Sequence, residues 1–431
     1  MALALTGCGS SSDGSTSGGS GTVTPDRVQT DAGIVNLSEQ VTRVELPETS
    51  MAGEHGTALS RSGFLLLNKL VETGDANANY LISPISLQTA LGMTVTGADA
   101  GTATEKELMA VLMPGVDGKP DTLNAEMATV AKRMQTAEGV SWNVANSIWV
   151  RNNIGVTLRD SYISDVTSAY AAELFSAPFD QSTLDALNAW VNKNTKERIP
   201  TILDKLDQNA AMVLINALAF DGAWDEPYQD SQISDGTFTN ADGSTSKVTM
   251  LGSHEDQAIL LDGGVGLIRP YKDDEYSFVA ILPPEGMSAN EYLSKVVSDG
   301  DSFSEAFLNA SWSRGVDAAI PEFKVEYGVT MDDTLKALGV KEAYSDSAHF
   351  RAMLTDDSDE VKIGTVAHKT MIQVDRTGTA AAAATAVEMR TKGAVMTEPP
   401  YQVILDRPFV YGIVDNASGI PVFLGVQNTM N

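Results

Sequence analysis

The sequence predicts an α+β fold, and three observations carry that prediction. Apolar residues recur at helical spacing through the first third of the chain. From Ala211 onward the apolar runs become short and are punctuated by Gly, Asp and Asn, the pattern of strands. After residue 56 neither a fixed-period repeat nor a linker interrupts the chain, so its 431 residues read as one large core rather than two domains.

In chain order, Ala58, Phe64, Leu65, Leu67, Leu70 and Val71 fall at helical spacing. A second helix follows Ser83-Pro84, a capping residue with proline just inside the first turn. Helical patterns continue over 102–113, 123–136, 161–170 and 184–198, and strand patterns over 141–151, 212–220, 277–282, 316–320 and 422–426. Apolar residues make up 43% of the chain, enough for a sizeable core. The formal net charge of −28, with no Lys/Arg-dense stretch, argues against nucleic acid as a partner, because phosphate neutralisation has no basic surface to use.

The single cysteine, Cys8, excludes an internal disulfide framework and any cysteine-based metal cluster. It follows Leu5-Thr6-Gly7 and precedes a Gly/Ser/Thr tract, an arrangement that resembles a bacterial lipoprotein signal whose Cys is lipid-modified. Residues 1–5 supply neither a basic start nor the roughly 7–15 apolar residues of an export signal, so the expectation is a translation start upstream. The organisation expected is a signal remnant over 1–8, a flexible tether and lead-in over 9–54, and one folded domain over 55–431. The location expected is extracytoplasmic, on a bacterial membrane or cell surface. Contact with the membrane is through the anchor alone, since no later run approaches the roughly 18 apolar residues of a spanning helix.

Reacting groups for an enzyme are not apparent. The four histidines are His55, His254, His349 and His368, and no nucleophile elbow, zinc-binding helix or phosphate-binding glycine loop accompanies them. His254-Glu255-Asp256 reads as a solvated turn within an exposed loop over 252–257. No metal or cofactor is expected.

One segment breaks the local rules. Ala380, Ala381, Ala382, Ala383 and Ala384 form an alanine run that favours a helix by propensity. From Thr385 the residues alternate instead, with Thr385, Val387 and Met389 on one face and Ala386, Glu388 and Arg390 on the other. Extended backwards in the same phase, the first face takes Ala383, Ala381 and Thr379, all small enough to slip between strands already packed. A helix would align Ala383, Val387 and Arg390, a poorer apolar face.

Gly378-Thr379, the alanine run and Thr385 together resemble the reactive-loop hinge of the serpins. Further blocks agree in order: Asn79-Tyr80-Leu81-Ile82-Ser83-Pro84-Ile85-Ser86, Ala145-Asn146, Asn216-Ala217 through Phe220 to Trp224, Pro270-Tyr271, Pro321-Glu322-Phe323, His368-Lys369 and Arg407-Pro408-Phe409. The resemblance implies a serpin fold, with about eight to nine helices around a large central mixed sheet, two smaller sheets, and an exposed reactive-centre loop over about 376–398. It implies a protease inhibitor rather than an enzyme. The target attacks the loop and forms an acyl-enzyme, and the freed hinge then enters the sheet as a new strand.

Counting seventeen residues from Arg376, as the family does, places the cut between Lys392 and Gly393, with Arg390-Thr391 as the alternative. A lysine there suits a trypsin-like serine endopeptidase, with a basic-specific cysteine protease also open. The resemblance further implies a monomer. Ser83, Ser86, Asn216 and His368 match a polar network beneath the opening sheet, and Trp224 matches the point where the loop first enters. Arg376 and Ala380 each stand where the family usually has Glu. A non-inhibitory serpin-fold binding protein, or a substrate at the cell surface, is therefore the alternative.

Overall fold

The strand-forming runs assemble into three sheets in the computed structural model, which describes residues 33–50, 53–299, 303–355, 361–379 and 398–430. The largest sheet runs β1 (Val35–Asn36), β4 (Glu173–Ala177), β3 (Val140–Arg151), β5 (Met212–Ala223), β14 (Gly378–Thr379), β13 (Ile363–Val374) and β12 (Phe323–Thr330). It is mixed, since β3 is antiparallel to β5 whereas β5 and β13 are parallel. A six-stranded sheet runs β2 (Tyr80–Ile82), β17 (Pro421–Gln427), β16 (Phe409–Asp415), β10 (Tyr276–Leu282), β9 (Gly264–Pro270) and β8 (Ala258–Leu261). A four-stranded sheet runs β15 (Tyr401–Ile404), β11 (Val316–Pro321), β7 (Thr245–Glu255) and β6 (Ile233–Thr239).

Nine α-helices lie among the described residues: α1 (Glu54–Thr73), α2 (Pro84–Thr96), α3 (Ala103–Leu112), α4 (Pro120–Thr136), α5 (Asp160–Tyr170), α6 (Gln181–Asn194), α7 (Ala289–Asp299), α8 (Phe303–Leu308) and α9 (Asp332–Ala337). The architecture is the one the resemblance implied. Helix α2 starts on Ser83, whose Oγ accepts from the Ser86 amide at 3.2 Å, with Pro84 in the first turn. It is apolar on most sides and buried from Pro84 to Val95, as a helix inside a core should be.

Residues alternate across the central strand β5. Met212, Leu214, Leu218 and Phe220 join the main core with α1, α2 and the six-stranded sheet. Val213, Ile215 and Ala217 face the opposite way, into a smaller core closed by Leu187 and Val191 of α6. The large sheet is thus buried on both faces, which explains why β5 reads as a continuous apolar run rather than an alternating one.

Three sequence expectations are corrected. The helix expected over 184–198 ends at Asn194, because Lys196 and Glu197 adopt left-handed φ angles of 47° and 63°. The chain must turn there to cross the sheet, and Asn188 holds the crossing segment by accepting from the Ile202 and Leu203 amides. The segment 252–257 is not a loop throughout: β7 runs to Glu255, which is buried against Arg269, while His254 is exposed and pairs with Asp317 at 2.8 Å. The lead-in expected to be flexible up to residue 54 includes β1, which adds to the sheet edge beside β4. Ile34 and Leu37 are buried there, and the Leu37 amide donates to Leu174 O at 2.8 Å. Two apolar anchors in a polar stretch leave no periodicity to detect.

Candidate functional site

At the upper end of the large sheet β5 and β13 part company. They pair in parallel register as far as Met371↔Ala219, and above that point β14 lies between them. Gly378 and Thr379 pair with Ala223 and Gly222 of β5, and Thr379 also faces Val374 of β13. The approach is too close for a side chain, since a Cβ on Gly378 would sit 2.0 Å from Gly222 O. The first two hinge residues are therefore already in the sheet, which corrects the expectation of a loop exposed over about 376–398.

The turn leading into the hinge is held by backbone groups and short side chains. Asp375 Oδ1 accepts from the Thr377 amide at 2.8 Å and from its hydroxyl at 2.6 Å. Trp224 donates from Nε1 to Asp375 O at 2.8 Å and from its amide to Thr377 O at 3.1 Å, and the Tyr228 amide donates to Arg376 O at 2.9 Å. Arg376 thus contributes mainly its carbonyl. Its exposed side chain meets a still more exposed Asp230 at 3.2 Å, a pair of little energetic consequence. The turn is thus held without hydrogen bonds from the side chain at this position to the hinge.

Beneath the turn lies an aromatic and charged floor. Tyr271 stacks on Trp224 with ring centroids 4.8 Å apart and planes at 9°, and its hydroxyl meets Thr379 Oγ1 at 2.6 Å. Arg269 lies over the Tyr228 ring at 4.1 Å and pairs with buried Glu255 at 2.6 Å. A charge buried this deeply is stable only because it is paired and hydrogen-bonded.

Halfway down the sheet a polar network crosses three strands. His368, Asn216 and Asn146 stand in register on β13, β5 and β3. His368 Nδ1 lies 2.5 Å from Asn216 Oδ1, and Nε2 accepts from the Ser83 amide at 3.1 Å. Asn216 Nδ2 donates to Ser86 O at 2.5 Å and to Asn146 Oδ1 at 2.7 Å, and Ser86 Oγ reaches the same Asn146 oxygen at 3.4 Å. Because Nε2 accepts a hydrogen bond, the ring is neutral with its proton on Nδ1.

Burial pushes the His368 pKa down to about 3. The unfolded chain, with an ordinary histidine near 6.5, binds the proton first as pH falls. Stability of the uncut protein is therefore complete above pH 6.5 and lost progressively toward pH 3. The loss amounts to about 2 kcal/mol by pH 5 from this group alone. Denaturant melts at pH 7 and pH 5 should show a smaller acid loss in His368→Gln than in the wild type. Equal losses in the two proteins would remove His368 as the cause.

Residues 57–429 match the family model described as "Serpin (serine protease inhibitor)". The chain belongs to the serpin family. It is 30% identical to wheat (Triticum aestivum) Serpin-Z1A over 363 residues, covering 81% of this chain and 89% of that one. It is 27% identical over 383 residues to a serine protease inhibitor of Cyanea capillata, covering 87% and 98%. Among solved structures it is similar to the thermophilic serpin tengpin in its native state, with 33% identity, a TM-score of 0.82, and coverage of 94% of this chain and 100% of that one. The TM-score against the latent state of tengpin is 0.73. Serpins act in general as protease inhibitors rather than enzymes, although some members do not inhibit.

In this serpin the residues expected at the site fall into two groups. Gly378, Thr379 and Trp224 meet at the hinge seat, whereas Ser83, Ser86, Asn216 and His368 meet in the network. Ala380, Ala381, Ala382, Ala383, Ala384, Thr385, Arg390, Thr391, Lys392, Gly393 and Cys8 lie outside the described residues. Asn146, Tyr271, Arg269 and Glu255 were not anticipated as site residues. Asn146 carried a signal, a polar residue inside an apolar strand pattern, but the other three meet only through the tertiary fold. Among the described residues no group of three or more His, Cys, Asp or Glu could hold a metal ion, and no helix is long and apolar enough to cross a membrane.

Proposed function

We propose that this serpin is a suicide-substrate inhibitor of a trypsin-like serine endopeptidase, trapping the enzyme as an acyl-enzyme when the cut loop enters the large sheet. The observation that carries the reading is the seated hinge. With Thr379 opposite Gly222, the same antiparallel register would set Ala381, Ala383, Thr385, Val387 and Met389 opposite Phe220, Leu218, Asn216, Leu214 and Met212. Those β5 residues face the main core or the polar network, so the incoming inward face must be small near the entrance and can be larger only at the far end. The sequence has that order. Among Ala381, Ala383, Thr385, Val387 and Met389, Thr385 alone carries a hydroxyl, and it would fall opposite Asn216.

Insertion separates β5 from β13 and replaces their single ladder with two. Each net hydrogen bond contributes about 0.5–1.5 kcal/mol, so ten added residues give a drive on the order of 10 kcal/mol before packing. Lys392-Gly393 is the bond proposed for attack, with the lysine as a point charge for an anionic specificity pocket. Incubation with trypsin and denaturing electrophoresis should yield a covalent band. A cut fragment without that band would instead mark a substrate, the alternative raised by Ala380.

The protein acts as a monomer outside the cytoplasm, held to a bacterial membrane or cell surface through lipid on Cys8. What supports this is the position of the sole cysteine after Leu5-Thr6-Gly7 and before a Gly/Ser tether. In cells fractionated into membrane and soluble material, Cys8→Ser should move from the membrane fraction to the soluble fraction. An unchanged distribution would exclude the anchor.

A further inference from the structure

The hinge seat contains a buried hydroxyl pair that the insertion reading does not by itself require. Tyr271 and Thr379 are each fully buried, and their hydroxyls lie 2.6 Å apart. Among the described residues each hydroxyl has the other as its hydrogen-bond partner. The Tyr271 ring is fixed independently of this bond: it stacks on Trp224 and meets Phe220 edge-on at 4.8 Å. Its backbone is held as well, by the hydrogen bond from its amide to Tyr276 O at 2.9 Å. The floor therefore presents a hydroxyl at a fixed point, and Thr379 is the hinge residue that reaches it.

We propose that Tyr271 is a positioning residue for loop insertion, holding Thr379 between β5 and β13 in the uncut protein so that insertion starts from a seated first rung. The proposal rests on the inhibitory reading above. Starting a new strand is the costly step, because backbone must be fixed before the ladder returns its bonds. Gly378 and Thr379 have already been fixed, in the register that the rest of the loop would follow. After cleavage two rates compete, insertion and hydrolysis of the acyl-enzyme. A seated hinge shortens the first without touching the second.

The two hydroxyls stand or fall together. Removing one strands the other in a buried apolar site, whereas removing both leaves two apolar surfaces of nearly the same shape. That asymmetry separates a specific pair from general packing. Tyr271→Phe keeps the ring and its stacking, and Thr379→Val keeps the branched shape and β propensity.

The test is a double-mutant cycle on the full chain with trypsin, reading the moles of inhibitor consumed per mole of enzyme trapped and, separately, the rate of loop cleavage. Each single variant should raise consumption about five-fold or more at an unchanged cleavage rate, and the double variant should return most of the way to the wild type. Effects that multiply in the double variant, or singles that match the wild type, would overturn the role of Tyr271 while leaving inhibition intact. A wild type that traps no enzyme would overturn the inhibitory reading itself, and this proposal with it.

Discussion

Thr379→Arg should turn the inhibitor into a substrate. The covalent band with trypsin is expected to fall at least about ten-fold while the cut fragment accumulates at nearly the wild-type rate. Thr379 has no exposed surface, and its side chain points at Tyr271, with Arg269 just beyond over Tyr228 and Trp224. An arginine in that slot would bring a second guanidinium toward one already committed to Glu255, and a buried unpaired charge costs several kcal/mol. The hinge would stay out of the sheet, and each kcal/mol of delay in insertion favours hydrolysis by roughly five-fold. Densitometry of the two products over time gives the partition directly. A covalent band of wild-type intensity would show that insertion does not pass through the seat occupied by Thr379.

Lys392→Ala should slow the trapping of trypsin by about a hundred-fold to a thousand-fold. Losing the charge that fills an anionic pocket costs the attacking enzyme about 3–4 kcal/mol of transition-state stabilisation, because the pocket carboxylate is left buried and unpaired. This effect lies on the first step, acylation, whereas that of Thr379→Arg lies on the partition after it. The two variants should therefore differ in kind. Lys392→Ala would be attacked slowly but trap efficiently once cut, with a normal number of inhibitor molecules consumed per enzyme. Second-order association rates measured with a chromogenic substrate separate the cases. An unchanged rate would move the reactive bond to Arg390-Thr391 or elsewhere.

Much of this was legible in the chain. The apolar run over 212–220 gave the central strand, and Ser83-Pro84 gave the start of the buried helix α2. Side-chain period is a local property, so it survives in sequence. What the sequence did not show is where local rules are decided at a distance. Nothing around Val35 announces an edge strand, because its pairing partner, Ser176, is remote in the chain. Glu255 looked solvated beside His254 and Asp256, yet it is buried because Arg269 on β9 comes to meet it. The seating of Gly378 and Thr379 was hidden for the same reason: it depends on Gly378 approaching the Gly222 carbonyl too closely for a side chain and on Tyr271 supplying a hydroxyl.

The polar network was half legible. His368 and Asn216 stand out as polar residues within buried strands, but Asn146 closes the network from the next strand over. On the mechanism proposed above, the three strands in register around one neutral histidine form a junction that would have to break and rebuild as the loop enters the sheet.

The most direct measurement is the reaction of the full chain with trypsin, resolved on a denaturing gel and followed by mass spectrometry of the released C-terminal peptide. The account predicts an acyl-linked band at the summed mass of the enzyme and the inhibitor less its C-terminal peptide, and a free peptide running from Gly393 to Asn431. A cut inhibitor with fully active enzyme, or enzyme lost without any peptide starting at Gly393, would contradict it.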